Sequence, residues 1–106
     1  MKKVPTHADY PALVEHLQEA VIGVTTGSMF GMPCAKRGGK AWLGAAFGGV
    51  VFKLTGQAHT DALALDGAEL FDPSGKGKPM KAWVVVPAEQ KEHWFDLGQK
   101  ALAQAD

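Results

Sequence analysis

Two glycine pairs, Gly38-Gly39 and Gly48-Gly49, constrain the fold of this chain more than any other feature. Each stands between strand-like runs in the stretch 29–54. A Gly-Gly pair supplies the positive φ values that both central positions of a tight two-residue hairpin turn require. Three runs joined by two such turns read as an antiparallel meander. If Gly48-Gly49 closes a two-residue loop, Phe47 faces Val50, Ala45 faces Phe52 and Leu43 faces Leu54. All six are apolar and share one face, because strand side chains alternate. The other face then carries Trp42, Gly44, Ala46, Val51 and Lys53. A slip of one residue would exchange the faces, so the pattern specifies which face is core. In the first hairpin the same logic sets Lys36 on the core face, a conflict within the pattern.

Helical spacing appears on either side of the meander. Leu13, Val14, Leu17 and Val21 recur at a helical period, with Glu15, His16, Gln18 and Glu19 on the opposite side. The spacing predicts a helix over 9–21, capped by Asp9, with Pro11 in its first turn and Gly23 ending it. Residues 24–28 lead in extended form into the meander. A short helix is expected over 57–65 and a short strand over 68–71. Residues 72–79, dense in Gly, Pro, Ser and Asp, read as a loop. The run Met80 to Val86 is apolar at every position but Lys81, which marks a strand buried on both faces. Pro87 stops it and suits the first position of a last helix, whose buried stripe is Trp94, Leu97, Gly98, Ala101 and Leu102. The fold class is therefore α+β, two-layered: an antiparallel β-sheet of about five strands with N-terminal and C-terminal helices packed on it.

Length and charge narrow the function classes. A chain of 106 residues suits one domain, 1–106, with one core. Net charge is zero, so bulk electrostatics favour neither nucleic acid nor an anionic membrane. No apolar run approaches the roughly 20 residues of a spanning helix. A single cysteine, Cys34, excludes an intrachain disulfide and suits a cytoplasmic location.

The order Met29-Phe-Gly-Met, a short strand, a Gly turn, Trp42 to Phe47 and Val51-Phe-Lys-Leu resembles the N-terminal domain of the TfoX/Sxy competence-regulator family. Gly31-Met-Pro-Cys and Lys81-Ala-Trp-Val-Val-Val-Pro87 are similar to stand-alone members and to the related YjbR-like proteins. The resemblance spans about residues 10–104 and rests on glycines, aromatics and one lysine. It implies a two-layer domain similar to type III secretion chaperones. It also implies a regulatory role, without a catalytic set, cofactor or metal to carry over. YjbR-like proteins have been proposed to bind DNA.

Two candidate surfaces follow from the residues. Trp42, Val51, Lys53 and Trp83 would form an apolar face opposite the helices, fit for a protein partner or for a second copy in a homodimer. Lys36, Arg37 and Lys40 form a basic hairpin with no acid between Ser28 and Thr60, fit for phosphate contacts by a winged DNA-binding module. The bland readings are core packing for the first set and solubilising edge lysines for the second. The leading expectation is a non-enzymatic domain acting through protein contacts, with nucleic acid as the rival partner. A small enzyme using Cys34 or His59 is the third reading. The four histidines lack zinc-like spacing. Gly75-Lys-Gly-Lys lacks the context of a P-loop.

Overall fold

A computed structural model describes residues 9–29, 32–46, 49–72, 77 and 80–104. Its elements are α1 (Tyr10–Ala20), β1 (Val24–Met29), β2 (Met32–Arg37), β3 (Lys40–Ala46), β4 (Gly49–Lys53), α2 (Gly56–Leu63), β5 (Glu69–Phe71) and β6 (Met80–Val86). A 3-10 helix (Ala88–His93) then runs into α3 (Trp94–Ala103). The fold is α+β. All strand pairs are antiparallel, in the order β1-β2-β3-β4-β6-β5. The sheet has six strands because the extended segment after α1 joins it as β1, in six unbroken pairs with β2.

The helices and one sheet face enclose the main core. It joins Leu13, Val14 and Leu17 of α1, Ala62 of α2, and Trp94, Leu97, Ala101 and Leu102 of α3 to Ala35, Leu43, Phe52, Val84 and Val86 of the sheet. The stripe expected for the last helix is the set buried on α3. Gly98 is part of it because α1 crosses closely there. A Cβ at Gly98 would lie 2.8 Å from Leu17 Cδ1, and Leu17 is fully buried. Trp94 donates its indole Nε1–H to the Val86 carbonyl at 3.2 Å, tying α3 to β6.

Asp9 precedes α1 without making the expected side-chain cap. Its carboxylate instead accepts from Lys91 Nζ at 2.9 Å, joining the start of α1 to the 3-10 helix.

Three details of the meander differ from the sequence pattern. Gly38-Gly39 does form the first turn, with φ of 62° and 80° and Arg37 paired to Lys40. The second hairpin is shifted by two residues: Leu43 pairs with Phe52, Ala45 with Val50 and Ala46 with Gly49. Phe47 and Gly48, and with them the expected contact of Phe47, lie outside the described residues. A shift of two by itself does not exchange the faces. A Cβ on Gly49 would stand 2.5 Å from the Val86 carbonyl oxygen, so the glycine serves strand packing there.

The third difference is a bulge. Ala35 pairs with Leu43, yet Lys36 pairs with Ala41, so Trp42 is one extra residue on β3. This resolves the conflict over Lys36. Ala35, not Cys34, comes to lie opposite Leu43, and Lys36 moves to the far face beside Gly27, where its side chain covers the glycine.

Candidate interaction edge beside the first helix

The bulge also decides where the expected aromatic face goes. Trp42 belongs to the helix-side core cluster, whereas Trp83 packs with Val51, Phe71 and Val85 in a second cluster made of strand residues. Trp42 and Trp83 are 8% and 7% exposed, and Val51 is fully buried. The expected single surface of Trp42, Val51, Lys53 and Trp83 is thus corrected. Val51 and Trp83 share a face, Trp42 leaves it, and both rings are covered. Lys53 does meet Trp42, with its ammonium 4.7 Å from the ring centroid, a cation–π contact. The Trp42 indole N–H is buried without a hydrogen-bond partner among the described residues.

The basic hairpin is also divided. Strand alternation sets Lys36 and Arg37 on opposite faces. Arg37 Nη1 donates to the Leu102 carbonyl at 3.1 Å, satisfying an orphan acceptor in the last turn of α3. Arg37 therefore has a structural task. Lys40, opposite Arg37, is exposed.

The chemistry-bearing residues do not converge. His59 Nε2–H donates to the Lys81 carbonyl at 2.6 Å, which fixes the ring against β6 and separates it from Cys34. Cys34 is buried, and burial pushes its thiol above the ordinary value despite the opposing effect of Lys36. A cleft of about 170 Å³ between α2 and α3 gathers Asp61, His93, Asp96 and Lys100. Its charges are already engaged: Lys100 pairs with Asp96 at 2.9 Å, and Gln57 donates to Asp61 at 2.8 Å. His93 Nε2 lies 3.7 Å from the Glu92 carboxylate. Among the described residues no three His, Cys, Asp or Glu side chains are placed to hold a metal ion. No helix among them is long and apolar enough to cross a membrane.

One open feature among the described residues is one the sequence pattern did not mark. The two sheet edges are unlike. β5 has three residues, begins with Glu69 and carries a bulge between Leu70 and Phe71. Short length, charge and bulges are the usual guards of an edge. β1 has none of them. It is six residues long, Val-Thr-Thr-Gly-Ser-Met, with no charge, proline or register break. Residues 25–28 are exposed, and no described strand lies beyond them.

A cleft of about 340 Å³ runs between this strand and α1. Tyr10 and Val14 are its buried apolar walls, Thr26 and Gly27 bring it to the edge of the sheet, and Glu15 and Gln18 stand exposed on the helix side. Tyr10 is 5% exposed, and its hydroxyl has no hydrogen-bond partner among the described residues. Burial, and secondarily the nearby Cys34, hold that phenol well above its ordinary range. The signal was present in the sequence as the β-branched run Val24-Thr25-Thr26 after a helix. Only the strand order turns that run into an edge.

Comparison with protein-family models, with curated proteins and with solved structures finds no match.

Proposed function

We propose that this chain is a non-enzymatic protein-interaction domain whose docking surface is the edge of β1. The carrying observation is the contrast between the two sheet edges, β5 short, acidic and bulged, β1 long, uncharged and regular. A bare edge presents a row of backbone donors and acceptors, and an incoming extended segment satisfies them by adding a strand. The adjoining helix makes a groove of the kind in which strand addition gains side-chain specificity. The resemblance to TfoX/Sxy N-terminal domains supports a regulatory setting and a cytoplasmic location. A partner from another protein fits better than self-association, because the exposed residues of a second β1, Thr25 to Ser28, are too small and polar to fill the cleft.

The test is hydrogen exchange on the full chain with and without a library of random twelve-residue peptides. Added protection confined to β1 is expected. Protection at the Gly38-Gly39 turn on adding duplex DNA, weakened by replacing Lys36, Arg37 and Lys40 with Ala, would favour the winged-module reading instead. No protection at β1 with any peptide pool removes the edge-docking reading.

A further inference from the structure

From the cleft beside β1, and resting on the edge-docking reading above, we infer the chemistry of the partner segment. It is an extended peptide that pairs with β1, inserts one large apolar side chain between Tyr10 and Val14, and presents Lys or Arg two residues away to Glu15.

The cleft has the volume of a small-ligand site, about 340 Å³, enough to receive a leucine- or phenylalanine-sized side chain. Its walls are apolar where they are buried: Tyr10 and Val14 are 5% exposed each. A strand laid along β1 points alternate residues to the same face, so residues two apart both look toward α1. One enters the cleft. The other meets the rim, where Glu15 is exposed and makes no ion pair among the described residues. Charge complementarity at that rim selects a cation. Tyr10 contributes its ring to the cleft wall, its hydroxyl being turned into the interior.

A second copy meets these requirements poorly. Among its exposed residues, 25–28, a second β1 paired about a twofold axis offers the cleft only threonine, serine and glycine. It also brings the Lys36 side chains, each lying across a central Gly27, toward one another.

Random twelve-residue peptides displayed on phage, panned in parallel against the wild-type chain and Glu15→Lys, decide the matter. Glu15 is exposed, so the variant folds, which circular dichroism checks. The wild-type chain is expected to enrich an apolar residue two positions from Lys or Arg, and Glu15→Lys the same apolar residue two positions from Asp or Glu. Val14→Asp is expected to lose at least tenfold in affinity for the enriched peptides. The same motif enriched on both baits overturns the inference and leaves edge docking standing if β1 amides are still protected. No enrichment on either bait, with β1 unprotected, overturns both. A concentration-dependent dimer abolished by Thr26→Lys overturns the inference in favour of a second copy.

Discussion

Two buried polar atoms without partners, the Tyr10 hydroxyl and the Trp42 indole N–H, mark where individual residues sit against local interest. An unsatisfied buried donor costs about 1–3 kcal/mol. Tyr10→Phe keeps the ring between α1 and the sheet and removes only the hydroxyl. It is expected to raise the stability of the free chain by about 1 kcal/mol, read as a higher urea midpoint at unchanged slope. In the same variant, affinity for an edge-bound peptide is expected to be unchanged, because the hydroxyl has no exposed surface for a docked segment to reach; a loss of affinity would show that the cleft opens on binding. Cys34 supplies a pH dependence. Burial raises its pKa, so the fold favours the neutral thiol. Below the ordinary value of 9.0 the thiol is neutral in both states and stability does not depend on it. Above that value the unfolded chain ionises first, and stability falls as pH rises toward the folded pKa. Tyr10 acts in the same direction from 10.0 upward. Urea midpoints between pH 7 and 10 are therefore expected to decline more steeply in the wild type than in Cys34→Ala, and parallel curves would refute the assignment.

Elements were legible from the sequence wherever one periodicity decided them. The buried stripe of α3, the interior strand β6 and the Gly38-Gly39 turn follow from spacing and turn chemistry alone. What escaped was set by contacts between elements. Gly49 looked like half of a turn because Gly-Gly is good turn chemistry. Its actual constraint is the Val86 carbonyl, 37 residues of chain away in β6 and invisible to a local window. The bulge at Trp42 was foreshadowed by the misplaced Lys36, although nothing local said which strand would take the extra residue. The interaction surface expected at Trp42 and Trp83 failed for that reason, since one added residue turned the first ring into the helix-side core. Gly49→Ala tests the close approach. The added methyl collides with backbone rather than with a movable side chain. It is expected to cost about 1–3 kcal/mol, the range for overpacking a tight site. A neutral effect in chemical denaturation would mean that β4 and β6 can separate at that end.

At the scale of the whole molecule, the helices cover one sheet face, the described cluster on the other is built of strand residues, and the edges carry the asymmetry. β4 and β6 each have strand neighbours on both sides; β4 is buried at every position but Lys53, and β6 from Trp83 to Val86. Their amides are expected to exchange only through global unfolding. Those amides of β1 that point away from β2 have no described strand to receive them, and are expected to exchange orders of magnitude faster in the free chain. An unguarded edge also invites association when the chain is heated or concentrated. Thr26→Lys adds to β1 the charge that β5 carries as Glu69. Thr26 is exposed, so this change is expected to alter stability by no more than about 0.5 kcal/mol. It is also expected to suppress light scattering on heating, because a lysine on the strand opposes edge-to-edge pairing. If β1 amides proved as slow as those of β4, the edge would already be covered in solution. Thr26→Lys would then destabilise the chain by displacing whatever covers it, and the contrast between the two edges would lose its functional meaning.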